Sequence, residues 1–317
     1  MHGATRLREL LARPGPVIAP GIYDCISAKV VQRAGYDAAF VSGAAVTASV
    51  LGYPDVGLQT MPEILAQVRN MARSVAIPLI VDVDTGYGNA LNLMRTVREF
   101  EAAGAAALFF EDQTFPKRCG HFEGKKLIPV EEMVVKIRAA CEARRSSDLV
   151  IIARTDARAL EGLDKAIERA TVYAKTGADV IYVEALLGED EMRAAAKAIP
   201  APLQANMSEG NGKTPVLHYD LLHEIGFKVI SYSGLLQRTA IRGMQRSLDV
   251  LRKEGSAMSL YPQHLCSLID RSELLGLHQF YKLEERLYGP LFDSEKSWRA
   301  SLEQRVGDGG GGDTLPI

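Results

Sequence analysis

A chain of 317 residues with a formal net charge of −2 is long enough to bury the core of one large domain or of two smaller ones. The near-neutral charge gives no reason to expect nucleic acid or an anionic membrane as a partner. No apolar run reaches the roughly 18 residues that cross a bilayer, and the first residues lack the apolar segment of a signal peptide, so we expect a cytoplasmic protein.

Eight short apolar runs recur along the chain and predict eight β-strands. Each run is continuous rather than alternating, which is typical of strands that are buried on both faces of a parallel sheet. The runs are PVIAP (16–20), AAFVSG (38–43), PLIVDVD (78–84), ALFFED (107–112), LVIIART (149–155), DVIYVEA (179–185), PLQANM (202–207) and KVISYS (228–233).

Segments with a helical pattern separate these runs. Pro62 is typical of the first turn of a helix, and Gly104 follows an apolar stripe at the place where a helix should end. Eight strand–helix units within roughly 250 residues predict a closed (β/α)8 TIM barrel of the α/β class. A doubly wound open sheet is the alternative, but no GxGxxG or GxxxxGKS/T motif follows the first strand.

More helical sequence follows the eighth strand than a minimal barrel needs. Its second segment carries an apolar stripe that could pack on a partner subunit, formed by Leu274, Leu275, Leu277, Phe280 and Tyr281. We therefore expect one barrel domain with a C-terminal helical extension over residues 1–290. Residues 291–317 end in the glycine-rich GDGGGGDTLPI, which predicts a partly disordered tail.

Acidic side chains end the third and fourth predicted strands, at the edge where the chemistry of TIM barrels takes place. Asp82 and Asp84 are two residues apart, so a strand would point both to one face, and Glu111 ends the next strand. Three neighbouring carboxylates repel one another unless a cation lies between them, and a few oxygen ligands with water and substrate are typical of Mg²⁺. The alternative is that these acids cap helices or form salt bridges.

Two other strand ends carry groups that suit a carboxylate substrate. Arg154 ends an otherwise apolar run, and a guanidinium there favours bidentate binding of a carboxylate or phosphate. An ion pair with a neighbouring acid is the alternative for this arginine. Asn206 ends another strand and could hold a carboxylate as a neutral donor.

One cysteine lies in surroundings that a packed core would not provide. Cys119 is flanked by Lys117, Arg118 and His121 within the segment TFPKRCGHFEGKK, and neighbouring cations favour the thiolate. It is therefore a candidate proton donor or acceptor, or a nucleophile, on a loop whose glycines would let it close and exclude water. A solvated surface loop is the alternative.

Four motifs resemble those of the isocitrate lyase and phosphoenolpyruvate mutase superfamily: VDVDTGYGN, EDQ…KRCGH, ARTDA and NMSEG…TP. The resemblance runs from about residue 5 to about residue 290. KRCGH is specific and looks like the lyase branch, which includes 2-methylisocitrate lyase, 2,3-dimethylmalate lyase, the petal death protein and oxaloacetate hydrolase. The resemblance implies a (β/α)8 barrel, a Mg²⁺ or Mn²⁺ cofactor, and a homotetramer in which the last helices swap between paired subunits.

Matching motif positions also imply roles for single residues. The implied metal residues, acting partly through water, are Asp82, Asp84 and Glu111, with Asp55 near the metal and the substrate. The implied substrate-binding residues are Ser42, Gly43, Ala44, Gly120, His121, Arg154, Glu184, Asn206 and Arg238. Cys119 would transfer a proton, with Gly120 and His121 in the same closing loop and with Arg154 and Glu184 completing the catalytic set.

The family position leaves the substrate open. Arg238 and Arg271 align with arginines of 2-methylisocitrate lyase, whereas NMSEGNGKTP and HFEGKK look more like the pattern of dimethylmalate lyase and the petal death protein. We predict a lyase for a substituted malate such as 2,3-dimethylmalate, which yields pyruvate and a carboxylic acid, with 2-methylisocitrate as the second candidate. Oxaloacetate hydrolysis or decarboxylation, a phosphonate mutase and a non-catalytic binding protein are the remaining alternatives.

Overall fold

The computed structural model of the protein describes residues 3–120, 124–210 and 212–288. Its centre is a closed barrel in which each strand pairs in parallel with the next and the eighth pairs with the first, so the predicted TIM barrel is confirmed. The strands are β1 (Val17–Ile22), β2 (Ala39–Val41), β3 (Leu79–Asp82), β4 (Ala107–Glu111), β5 (Val150–Thr155), β6 (Val180–Val183), β7 (Leu203–Asn206) and β8 (Phe227–Tyr232).

A helix follows every strand of the barrel, as the alternating pattern predicts. A first helix precedes β1, and three short helical segments come after the long helix that follows β8. The helices are α1 (Gly3–Ala12), α2 (Cys25–Arg33), α3 (Gly43–Leu51), α4 (Met61–Ser74), α5 (Ala90–Ala102), α6 (Val130–Ala143), α7 (Arg158–Glu161), α8 (Leu163–Thr176), α9 (Glu189–Ala198), α10 (Tyr219–Ile225), α11 (Leu235–Glu254), α12 (Leu268–Leu274) and α13 (Leu277–Tyr288), with a 3₁₀ turn at Met258–Leu260.

The core has two layers because the strands are buried on both faces. The outer layer fills the space between barrel and helices, and it contains the largest buried side chains, among them Phe100 and Tyr173. The inner layer fills the barrel itself. Within it, Phe109 lies with its ring centroid 5.4 Å from that of Phe40 and 5.4 Å from that of Tyr182. These three rings form an aromatic floor below the carboxyl ends of the strands.

The third strand is shorter than predicted, which changes the argument for its two acids. Strand β3 ends at Asp82, and Asp84 lies beyond it with a φ of 49°, in the left-handed region. The backbone N–H of Asp84 donates to Oδ1 of Asp82 at 3.0 Å, and this side-chain turn bends the chain away from the strand direction. Both carboxylates nevertheless face the same point, because a Cβ on Gly43 would lie 2.9 Å from Oδ2 of Asp82 and 3.5 Å from Oδ1 of Asp84. A side-chain turn, rather than strand alternation, brings them together.

The chain divides into two compact units, Met1–Thr239 and Ala240–Ile317. The first unit contains the barrel. In the second, Phe280 of the predicted apolar stripe is exposed, while the other residues of the stripe are partly buried. The predicted tail, 291–317, lies outside the described residues. Among the helices that are described, none is long and apolar enough to cross a membrane.

Candidate active site

A cavity of about 240 Å³ lies at the carboxyl ends of the strands, above the aromatic floor. Strands β2 to β8 all contribute to its wall, as expected for a TIM barrel. The predicted site residues that line it are Ser42, Ala44, Asp55, Asp82, Glu111, Cys119, Gly120, Arg154, Glu184, Asn206 and Arg238. Gly43 and Asp84 lie directly behind this lining, and His121 lies outside the described residues.

The acidic side chains surround a buried lysine. The ammonium of Lys117, with a side chain only 4% exposed, lies 2.5 Å from Oδ1 of Asp55 and 2.7 Å from Oδ1 of Asp84. Burial by itself lowers the pKa of Lys117, but the carboxylates around it outweigh burial and raise its pKa well above the usual value. Lys117 therefore supplies a permanent positive charge to the acidic cluster, which we define as Asp55, Asp82, Asp84 and Glu111.

The single positive charge of Lys117 does not balance the negative charge of the acidic cluster. Burial, reinforced by Asp84, raises the pKa of Asp82 to about 6. Burial also raises the pKa of Asp84 and, more strongly, that of Glu111, although Lys117 and Arg154 oppose both shifts. Oε1 of Glu111 is buried and has no hydrogen-bond partner among the described residues. The cluster thus has an excess of negative charge and an unsatisfied oxygen, which suits a further cation.

The cluster fits a hard cation that keeps part of its water shell. Across residues 3–120, 124–210 and 212–288, no three acidic, histidine or cysteine side chains converge closely enough to bind one ion directly. Mg²⁺ commonly binds through one or two carboxylates and several waters rather than through protein ligands alone. The roles of Asp82, Asp84 and Glu111 as metal residues remain a prediction.

Arg154 is held by acids from three strand ends. Its Nε and Nη2 donate to Asp156 at 2.8 and 2.9 Å, its Nη2 lies 2.9 Å from Oε2 of Glu184, and its Nε lies 3.4 Å from Oε2 of Glu111. The guanidinium also lies 5.6 Å from the ring centre of Tyr182. Nη1 has no hydrogen-bond partner among the described residues, so it is available to a substrate carboxylate.

Asn206 is oriented by its own hydrogen bonds. Its Oδ1 accepts from Oγ of Ser231 at 3.2 Å and from the backbone N–H of Ser233 at 3.2 Å. In turn, Nε2 of Gln204 donates to Oγ of Ser231 at 3.1 Å. These bonds assign the amide oxygen to the protein and leave the Nδ2 donor for the cavity, as a carboxylate-binding asparagine requires.

The first turn of α3 adjoins the acidic cluster. Ser42 is the N-cap of this helix, and its side chain accepts from the backbone N–H of Ala45 at 3.3 Å. The N–H of Gly43 donates to Oδ2 of Asp82 at 3.3 Å, so this donor serves the cluster rather than the cavity. A Cβ on Gly43 would lie 2.9 Å from the same oxygen, which explains the glycine. The N-terminus of α3 favours an anion beside Ser42 and Ala44.

Cys119 and Gly120 also line the cavity. The backbone N–H of Cys119 donates to the carbonyl of Asp55 at 3.2 Å, and the thiol is half-buried. A Cβ on Gly120 would collide with Nη2 of Arg154 and with Oε2 of Glu184, so only glycine allows the backbone this close to the ion pair. Cys119 and Arg154 therefore border the same space.

Sequence reasoning missed two features of the site. It treated Lys117 as one of the cations that favour the thiolate of Cys119, whereas the ammonium of Lys117 forms ion pairs with Asp55 and Asp84. It also gave no role to Asp156, although this residue follows Arg154 by two positions in ARTDA, a spacing that places both side chains on one face of a strand. That spacing could have identified Asp156 as the partner of Arg154.

Asp156 should contribute acid-sensitive stability. Burial raises its pKa, but Arg154 and Lys125 outweigh burial and lower it to about 2. Because this is below the unfolded value of about 4, the stabilisation is complete above pH 4 and is lost as the pH falls towards 2. We expect Asp156→Asn to lower the free energy of unfolding by about 2–5 kcal/mol at pH 7, since it leaves buried cations without their partner.

Urea unfolding at pH 7 and at pH 3 checks this prediction. The difference between wild type and Asp156→Asn should be smaller at pH 3, while the exposed Asp164→Asn should behave like the wild type at both. An equal difference at both pH values would contradict the account.

The sequence of the chain is similar to those of known enzymes. Residues 7–252 match the family model described as phosphoenolpyruvate phosphomutase. The chain is 40% identical over 284 residues to 2,3-dimethylmalate lyase of Eubacterium barkeri, covering 90% of this chain and 98% of that protein. It is 44% identical over 276 residues to 2-methylisocitrate lyase of Aeropyrum pernix, covering 87% and 88%.

The fold is also similar to those of enzymes whose structures have been solved. Oxaloacetate acetylhydrolase in complex with 3,3-difluorooxalacetate superposes with a TM-score of 0.86 at 33% identity, covering 92% of this chain and 98% of the other. Phosphonopyruvate hydrolase in complex with oxalate and Mg²⁺ superposes with a TM-score of 0.81 at 30% identity, covering 90% and 99%. Similar folds thus carry several reactions of 2-oxo acids, so the reaction must be argued from the site.

Proposed function

Since this chain belongs to the phosphoenolpyruvate mutase and isocitrate lyase superfamily and is a carbon–carbon lyase, we propose that it cleaves a substituted malate such as 2,3-dimethylmalate to pyruvate and a carboxylic acid. The observation that carries the proposal is that Arg154, Cys119 and three members of the acidic cluster border one cavity, and these members are Asp55, Asp82 and Glu111. Such a cleavage needs a group that binds carboxylate, a means of stabilising negative charge, and a proton donor.

The chemistry explains why these groups lie together. As the C2–C3 bond of a 2-hydroxy acid breaks, the hydroxyl group releases its proton, which passes to solvent, and becomes the carbonyl of the 2-oxo acid. The bonding electron pair passes to C3, and the departing fragment becomes an enediolate-like carbanion. It takes one proton at carbon and leaves as a saturated acid. In our proposal Cys119 supplies this proton, and the resulting thiolate regains one before the next turnover.

The remaining roles follow from the hydrogen bonds of each group. Nη1 of Arg154 and Nδ2 of Asn206 bind the substrate carboxylates, and Glu184 keeps the guanidinium in place. Ser42 and Ala44, at the start of α3, hold the carboxylate of the 2-oxo acid. The close approach of Gly120 to Arg154 and Glu184 brings the neighbouring Cys119 to the wall of the same cavity.

We propose Mg²⁺, with Mn²⁺ as a substitute, as the cofactor at the acidic cluster. Asp82, Asp84 and Glu111 would hold it, partly through water. When bound, it supplies Lewis-acid stabilisation to the substrate oxygens that gain negative charge. Support comes from the unsatisfied Oε1 of Glu111, and from the related phosphonopyruvate hydrolase, whose solved complex contains oxalate and Mg²⁺.

A tricarboxylate such as 2-methylisocitrate is the second candidate substrate. Arg238 lines the cavity and is exposed, and no ion pair occupies its guanidinium among the described residues. An additional cation at the cavity wall suits one more carboxylate than a substituted malate has. The likeness to 2-methylisocitrate lyase of Aeropyrum pernix supports the same reading. Hydrolysis of oxaloacetate is the third candidate, because of the likeness to oxaloacetate acetylhydrolase.

Product identification by NMR tests the proposal. Purified protein with Mg²⁺ is mixed separately with 2,3-dimethylmalate, 2-methylisocitrate, citramalate, isocitrate and oxaloacetate. We expect pyruvate and propionate from 2,3-dimethylmalate at a higher kcat/KM than for any other acid. Faster cleavage of 2-methylisocitrate to pyruvate and succinate would assign the second candidate. Oxalate and acetate from oxaloacetate alone would move the assignment to hydrolysis.

We also propose that the protein assembles as a homotetramer through its C-terminal helices. Within the second unit, an apolar row on α11 is exposed at helical spacing, formed by Ile241, Met244, Leu248 and Leu251. An exposed row of this kind suits a helix from a second copy of the chain. Exchange of the last helices between paired subunits would provide that helix.

A further inference from the structure

We propose that Lys125 is a positioning residue of this site, which holds Gly120, and with it Cys119, against the ion pair of Arg154 and Glu184. The inference rests on the proposed function, because it concerns how the proton donor is placed. It assigns the ammonium of Lys125 a role in turnover that is separate from the binding of substrate carboxylates.

Two consecutive lysines differ completely in their surroundings. The side chain of Lys125 is 2% exposed, whereas Lys126 is exposed to solvent. Burying an ammonium group costs free energy unless anions or carbonyl oxygens replace the lost water. A buried lysine in a segment that also contains Gly124 therefore requires partners that use its charge.

Lys125 has two such partners, and both belong to the site. Its Nζ donates to the carbonyl oxygen of Gly120 at 2.6 Å and to Oδ1 of Asp156 at 2.9 Å. The same Oδ1 accepts from Nη2 of Arg154 at 2.9 Å. One buried carboxylate thus fixes the position of the arginine and, through Lys125, the position of Gly120.

The backbone on either side of the thiol is consequently anchored. On the amino-terminal side, the N–H of Cys119 donates to the carbonyl of Asp55. Gln113 adds two bonds of 2.9 Å to the N–H and carbonyl of Arg118. On the carboxyl-terminal side, the bond from Lys125 holds the carbonyl of Gly120. Without it, this segment loses the hydrogen bond that holds its carboxyl-terminal side, while the bonds on the amino-terminal side of Cys119 remain.

Arg154 does not depend on Lys125 in the same way. It keeps both bonds to Asp156 and its contact with Glu184 when the ammonium is removed. The binding of a small dicarboxylate at Nη1 should therefore survive. Retained binding at Arg154 together with a displaced thiol would therefore indicate a role in placing Cys119 and not a general loss of structure.

The experiment compares Lys125→Met with the neighbouring Lys126→Met and with the conservative Lys125→Arg. The first measurement is the rate at which iodoacetamide alkylates Cys119, followed by peptide mass spectrometry with Mg²⁺ present. The second is the dissociation constant of oxalate, a small dicarboxylate probe. The third is kcat and KM with the acid that the wild-type protein cleaves fastest.

For Lys125→Met we expect Cys119 to be alkylated ~10-fold faster, as follows from losing a hydrogen bond to a charged group. We expect kcat to fall by ~10²-fold from the displaced acid, with oxalate affinity and KM within ~3-fold of the wild type. Lys125→Arg keeps the positive charge and has N–H donors for both the carbonyl of Gly120 and Asp156, so it should recover most of kcat. Lys126→Met should match the wild type in all three measurements.

Two results would overturn the inference. One is alkylation of Cys119 in Lys125→Met at the rate seen in Lys126→Met. The other is failure of both Lys125 variants to fold, which would assign the residue to the core alone. The alkylation and oxalate measurements need no turnover, so they decide the role of Lys125 even if none of the proposed acids is cleaved.

Discussion

Replacing Cys119 with serine should abolish most turnover and leave ligand binding intact. A serine hydroxyl is a far weaker acid than a thiol, so it cannot protonate the departing carbanion at a useful rate. General acid catalysis contributes about 10²- to 10⁴-fold, so we expect kcat to fall by about 10³-fold, or about 4 kcal/mol in activation free energy. The measurement is kcat for the fastest substrate at saturating Mg²⁺.

Binding measurements make this prediction specific. The thiol is not part of the acidic cluster, and Arg154 keeps all its partners, so the variant should bind Mn²⁺ and oxalate within about 3-fold of the wild type. Cys266→Ser is the matched control, because this cysteine is exposed and belongs to the second unit. Full turnover by Cys119→Ser, or an equal loss in Cys266→Ser, would remove the proposed role of the thiol.

Replacing Asp84 with alanine should abolish metal-dependent activity. The acidic cluster then loses one negative charge, and of its two ion pairs among the described residues Lys117 keeps the one with Asp55. Removing a residue that supports a metal typically weakens metal affinity by about 10- to 100-fold. We expect that loss in Mn²⁺ affinity, together with a fall of at least about 10²-fold in turnover at a fixed, subsaturating Mg²⁺ concentration.

Metal titration distinguishes this role from a structural one. Turnover of Asp84→Ala should rise with Mg²⁺ well beyond the concentration that saturates the wild type. Asp164→Ala, at an exposed position on α8, should keep the wild-type titration. If Mn²⁺ affinity is unchanged while turnover is lost at every Mg²⁺ concentration, Asp84 acts through Lys117 and the metal role is wrong.

The barrel could be predicted from the sequence because its signal is local. Continuous apolar runs marked all eight strands, and their last residues located Glu111, Arg154 and Asn206 at one edge of the sheet. The ends of strands were less accurate where a side chain turns the backbone. The backbone N–H of Asp84 donates to a side-chain oxygen of Asp82 instead of to a neighbouring strand. A pattern of hydrophobic residues does not indicate such a side-chain hydrogen bond.

The partners of the lysines could not be predicted for a different reason. Lys117 and Lys125 follow β4, but their ammonium groups contact acids that are distant along the chain. The path of the intervening segment decides such pairs, and no periodicity describes that path. The sequence therefore indicated which groups could do chemistry, whereas the structure was needed to pair Lys117 with Asp55 and Lys125 with Asp156.

The most direct test of carbon–carbon cleavage with protonation of the departing fragment at carbon is to run the reaction in D₂O. The wild-type protein, Mg²⁺ and 2,3-dimethylmalate are followed by ¹H and ²H NMR. We predict pyruvate in equal amount to propionate, with one deuterium at C2 of the propionate, because the thiol of Cys119 exchanges with solvent before it protonates the carbanion. Absence of pyruvate from every substituted malate and from 2-methylisocitrate, or propionate without deuterium, would contradict the account.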